Sequence, residues 1–153
     1  MSDRDLLHLY SQRLLALAAD VPRIGRLAAP DGAARRRSPL CGSTVSVEVR
    51  MEGDRIADFA QEVRACALGQ AAAAVVGGVA VGRTVEEVRQ GRDGLRAMLK
   101  DGAPPPSAPW DGFEALLPAR DHPNRHASVM LAIEATLEAV EAALGQPRAA
   151  KEG

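Results

Sequence analysis

Alternation of apolar and polar positions is clearest between residues 44 and 52. Val45, Val47, Val49 and Met51 alternate with Ser46, Glu48 and Arg50, the period of a strand with one buried face. Glu52-Gly53-Asp54 supplies turn chemistry, and Arg55 to Val63 returns as a second strand. Residues 28–38, small and basic, have room for a short edge strand. The remaining pattern is helical. Leu6, Leu7, Tyr10, Leu14 and Leu17 form one stripe, predicting a helix from Asp3 to Ala19 that Pro22 and Gly25 end. A helix of small residues begins at Cys66. Thr84-Val85-Glu86-Glu87 is a capping box for a helix reaching about Lys100. Pro104-Pro105-Pro106 interrupts the helical pattern, and Asp111 and Glu114 open a short helix through Leu117. From about Pro123 a last helix carries Met130, Ile133, Leu137, Val140 and Leu144 on one face. The expected fold is α+β, a small antiparallel sheet of about three strands with helices on one side. A single domain over 1–145 and a polar tail over 146–153 are expected.

Composition narrows the classes of function. Of the 153 residues 46% are hydrophobic and only 3% aromatic, so the core is built from aliphatic side chains. A net charge of −1 argues against a general nucleic-acid binder. The apolar run from Ala71 to Val81 is too short to span a bilayer. Met1-Ser2-Asp3-Arg4-Asp5 lacks the order of a secretory signal, and two cysteines without one read as reduced cytoplasmic thiols.

Those cysteines carry the candidate chemistry. Cys41 lies in Ser38-Pro39-Leu40-Cys41-Gly42-Ser43, where Gly42 allows close backbone approach. Cys66 stands at a helix N-terminus, where free N–H groups favour a thiolate. The hairpin between them is expected to bring the two sulfurs together. The plainer alternative is that both are small buried fillers. Gln70, one turn after Cys66, can approach the sulfur or interrupt an apolar face. Gly69, Gly77 and Gly78 suggest close packing of that helix. His126, at the start of the last helix, is either a neutral imidazole ligand or a helix-start histidine. His122, His8 and Asp121 read as surface or loop. Arg35-Arg36-Arg37 reads as a solvated strand or loop, with docking of an acidic partner as the lesser alternative. Trp110 and Phe113 are expected to anchor the segment after the prolines.

Several of these segments, in this order, resemble the IscU/SufU/NifU family of iron–sulfur cluster assembly scaffolds. Leu9-Tyr10, Pro22-Arg23 and Gly25 look like the family's opening. Pro39-Leu40-Cys41-Gly42 resembles its Pro-x-Cys-Gly-Asp motif. The hairpin with Cys66, and His122-Pro123-Asn124-Arg125 with the helix beyond, resemble its second and third cysteine regions. The interval from Cys66 to position 128 is similar to that of the SufU-type branch. Two positions depart from the pattern: Ser43 stands where the family has Asp, and Ser128 where it has its third cysteine. A serine hydroxyl stays protonated near neutral pH and is a poor ligand for iron or zinc.

The resemblance implies a scaffold or accessory protein holding iron, a nascent iron–sulfur cluster or transferred sulfur at Cys41 and Cys66. Zinc is the other soft metal it allows, and His126, Ser128 and Ser43 are further candidate ligands. Arg125 falls where SufU-like proteins carry an arginine beside the site. Implied partners are a cysteine desulfurase and other assembly proteins, with neither nucleic acid nor membrane, and a second protomer could complete the site. A metal-independent interaction module with a decayed site, and a persulfide-accepting sulfur transferase, are the alternatives.

Overall fold

The computed structural model describes residues 11–39 and 42–145. Its sheet has strands β1 (Gly32–Arg37), β2 (Thr44–Glu52) and β3 (Arg55–Arg64), antiparallel in the order β1-β2-β3. Register sets Val45 beside Val63, Val47 beside Gln61 and Val49 beside Phe59. Val45, Val47, Val49 and Phe59 are buried, so one face of the sheet turns to the core as the alternation predicts. The β1–β2 connection closes through Gly42, whose N–H donates to the Ser38 carbonyl (3.0 Å), and Ser38 N–H donates to the Ser43 carbonyl (2.8 Å). Gly42 has φ +73°, a left-handed conformation that costs glycine little.

Helices α1 (Gln12–Ala19), α2 (Ala67–Val79), α3 (Val85–Lys100) and α4 (His126–Ala143) accompany the sheet. Helix α4 lies against β1 and β2 and also touches α2 and α3. It is therefore buried on most sides, including Val129, Leu131, Ala135 and Ala139 outside the expected stripe. The expected helix from Asp3 to Ala19 is not continuous. Ser11 is extended (ψ 162°), and its hydroxyl accepts from Leu14 N–H, which caps α1 and sets its start at Gln12. What precedes Ser11 lies outside the described residues, as do Leu40, Cys41 and the expected tail from 146.

The capping box at Thr84 forms as expected, with Thr84 and Glu87 bonded reciprocally. The short helix after the prolines is a 3₁₀-helix running on to Asp121 rather than stopping at Leu117. Pro118 inside it has no N–H and would clash in an α-helix. Trp110 and Phe113 stack with ring centroids 5.9 Å apart, and Trp110 Nε1–H donates to the Glu87 carbonyl (2.9 Å). This anchors the segment to α3 as expected. Among the described residues no helix is long and apolar enough to cross a membrane.

Candidate functional site

Three positions distant in sequence meet where the N-termini of α2 and α4 approach the start of β2. Cys66 is the N-cap of α2. Its sulfur lies 3.5 Å from Ser128 Oγ, and Ser128 Oγ–H donates to Ser43 Oγ at 3.4 Å. Both serines are buried, while Cys66 is half-buried. Close contact between the two helices depends on Gly69: a Cβ there would sit 2.9 Å from Ser128 Oγ and 2.7 Å from Ala65 Cβ. Gly77 likewise faces Gln61 and Pro22, whereas among the described residues nothing lies close to Gly78, so it does not mark close packing there.

The surroundings of Cys66 favour its thiolate. Burial pushes the thiol up, but the Gly69 N–H, the Ser128 hydroxyl, the Leu68 N–H and the Arg125 charge pull it down and together prevail. The N–H groups act from the open first turn of α2 without a full capping bond to the sulfur. The hydroxyl chain can answer a change of charge. With a thiol, S–H donates to Ser128 Oγ; with a thiolate, the Ser128 O–H must turn to the sulfur.

Other expected site residues make hydrogen bonds of their own. The Gln70 amide donates to the Ala65 carbonyl (2.9 Å) and so braces the backbone entering Cys66. His126 is buried, with Nε2 3.0 Å from the Ala119 carbonyl and 3.1 Å from the Arg120 carbonyl. Carbonyls only accept, so Nε2 carries a ring proton; Nδ1 is buried without a hydrogen-bond partner among the described residues. Gly42 closes the turn that leads into Ser43. Cys41 lies outside the described residues.

The described donors make a poor cage for zinc. Among the described residues no group of three or more His, Cys, Asp or Glu is placed to hold a metal. One cysteine with two protonated hydroxyls supplies a single soft, anionic ligand where zinc takes several. Sequence reasoning passed over Arg64, the outward-facing end of β3 two positions before Cys66. Strand parity was the signal available for it.

No family model matches the chain, and no curated protein does. Solved structures do. A nitrogen-fixing NifU-like protein (N-terminal) from Brucella abortus is 38% identical, with a TM-score of 0.90 over 94% of this chain and 99% of that one. The chain belongs to the IscU/SufU/NifU family of iron–sulfur cluster assembly scaffolds. The same fold occurs in a Fervidobacterium islandicum protein assigned as an iron–sulfur cluster assembly scaffold for the SUF system. That protein is 19% identical, with a TM-score of 0.77 over 86% of this chain and 96% of its own.

Proposed function

We propose that this chain is a scaffold or accessory protein of iron–sulfur cluster assembly, a single domain over 1–145 that carries its cargo on Cys66 and Cys41. The cargo is iron, a nascent cluster or transferred sulfur. The observation that carries the reading is Cys66, a half-buried thiol at a helix N-terminus whose ionised form is favoured, against burial, by the Gly69 N–H first and then by the Ser128 hydroxyl, the Leu68 N–H and the Arg125 charge. Cys41 is joined to this reading by sequence alone, two positions before Ser43. Family membership supports the role, and the 38% identity to a NifU-like protein is its strongest support.

Two thiols hold a cluster weakly, so a full site takes further ligands from a small thiol, a partner or a second protomer. Ser43 and Ser128 act as hydrogen-bonding groups in this reading, not as primary ligands. A cysteine desulfurase and other assembly proteins are the partners it calls for, in a reducing, cytoplasmic setting.

The favoured thiolate also supports a sulfur-transfer variant of the same role. Cys66 thiolate attacks the outer sulfur of a donor persulfide and a new S–S bond forms. The donor's S–S bond breaks, and the donor leaves as a thiolate with no net oxidation. Iron and labile sulfide retained after anaerobic reconstitution test the scaffold role. Alkylative trapping of a persulfide on Cys66 tests the transfer role. A chain that retains neither yet binds an assembly partner is an interaction module.

A further inference from the structure

The consecutive arginines of β1 separate by strand parity. Arg36 turns to the helix side, 3.7 Å from Glu134 and 3.4 Å from Glu138 of α4. Arg35 and Arg37 belong to the opposite, outer face of the sheet, and both are exposed. Register sets Arg37 beside Thr44, and Thr44 beside Arg64, which is also exposed. Arg37 and Arg64 therefore flank Thr44 at the end of the sheet that leads to Ser43 and Cys66. Arg35 follows beside Ser46. None of Arg35, Arg37 and Arg64 has an ion-pair partner among the described residues.

An open depression of about 450 Å³ lies between Arg35 and Arg64, lined also by Ile24, Thr44 and Val63, with Glu62 as its acidic member. Ile24 is 57% exposed, a large apolar side chain left in water at the edge of a charged surface. Among the described residues these arginines make no ion pair, and a guanidinium fork matches a carboxylate in two parallel hydrogen bonds.

We propose that this end of the outer sheet face docks an acidic segment of a partner protein, with Arg35, Arg37 and Arg64 pairing its carboxylates and Ile24 seating an apolar side chain. Nucleic acid suits the surface less well. Phe59, Trp110 and Phe113 are buried and cannot stack on bases. A lipid surface is disfavoured because, among the described residues, Ile24 is the one largely exposed apolar side chain of this patch. Docking here sets a partner beside Cys66, two positions beyond Arg64, and opposite charge speeds the encounter. The proposal concerns binding and stands whether or not Cys66 carries cargo.

The test is fluorescence anisotropy with a labelled peptide of alternating Asp and Glu around one Leu. A neutral Asn/Gln peptide, a single-stranded oligonucleotide of equal charge and phosphatidylglycerol vesicles serve as comparison probes. The parent protein is expected to bind the acidic peptide more tightly than the other three, and less tightly as salt rises. The combined Arg35→Ser, Arg37→Ser and Arg64→Ser variant is expected to lose about ten-fold in affinity, with Arg50→Ser on the same face within about two-fold of the parent. Glu62→Gln should tighten binding, a gain that misfolding cannot produce. The same titration of Cys66→Ala is expected to match the parent, which separates failure of docking from failure of the cargo reading. The proposal is overturned if the parent does not bind the peptide, or if the combined variant binds as the parent does. It is equally overturned if Arg50→Ser loses as much, if Glu62→Gln weakens binding, or if the oligonucleotide or vesicles bind more tightly than the peptide.

Discussion

Ser128 Oγ lies 3.5 Å from Cys66 Sγ, although 62 positions separate the two residues. This contact ties the start of α4 to the start of α2 and gives the thiol a hydroxyl that can face it in either charge state. The pH profile of Cys66 alkylation, followed on its own peptide by mass spectrometry, should therefore have its midpoint below the ordinary thiol range. Ser128→Ala should move that midpoint up, and further than Arg125→Gln does, because the hydroxyl outweighs the Arg125 charge. The sign for stability follows. A depressed folded-state pKa adds stability as pH rises from the folded value to the ordinary one, and that increment is lost as pH falls back through the folded value. Cys66→Ser should abolish this pH-dependent increment.

Gly69 decides whether the two helices can meet. A Cβ there would come within 2.9 Å of Ser128 Oγ and 3.3 Å of its carbonyl oxygen, so α4 would have to shift. Gly69→Ala should destabilise by about 1–3 kcal/mol in urea unfolding, overpacking outweighing the gain in helix propensity. Gly78→Ala meets nothing within 4 Å and should stabilise by up to about 1 kcal/mol. Equal stability of the two variants would contradict the close-contact account.

The Thr84–Glu87 capping box should be worth about 1 kcal/mol, read as the loss in Thr84→Ala. The Thr84 N–H is the main cause holding the Glu87 carboxyl below its usual range; the Arg83 and Arg55 charges add to it, and slight burial opposes them. The capping contribution is therefore present above the ordinary glutamate pKa and fades as pH falls through the folded value. A stability difference between the parent and Glu87→Gln that stays constant down to low pH would show that the Glu87 charge adds nothing to the cap.

Strand pairing was legible in the sequence because one buried face forces a period of two: Val45, Val47 and Val49 line it. The same parity, applied to Arg35, Arg36 and Arg37, already separates the ion-paired residue from the outward pair. The capping box was legible because its chemistry is local. Less legible was α4, whose sequence suggests one apolar stripe although neighbours cover most of its surface; small residues such as Ala135 and Ala139 carry little periodic signal. The 3₁₀ run to Asp121 depends on Pro118 together with tertiary packing. Within the candidate site, Cys66, Ser43 and Ser128 could be named from the family pattern. Their contact could not, because it depends on Gly69, whose close-packed neighbour no local pattern identifies. Gln61, a polar residue in a core strand, is held by its Nε2–H bonds to Pro22 and Ala73 carbonyls, partners that only the fold brings near.

Restoring ligands tests whether the site keeps the shape of a metal centre. Ser128→Cys places a second soft donor beside Cys66, and adding Ser43→Asp supplies a carboxylate. The double variant should retain more zinc than the parent after dialysis, by about ten-fold or more in affinity for two ligands restored. His126→Ala should leave parental metal content unchanged and cost about 1–3 kcal/mol of stability, since its Nε2–H serves the Ala119 and Arg120 carbonyls. A double variant that folds yet binds no more zinc than the parent would mean the geometry has been lost with the ligands.

The most direct measurement is the iron and labile sulfur bound per chain after anaerobic reconstitution with ferrous iron and sulfide, in the parent, Cys66→Ala and Cys41→Ala proteins. The account expects the parent to hold a weakly bound cargo that either substitution removes while the fold persists. Full cargo content in both variants would contradict it.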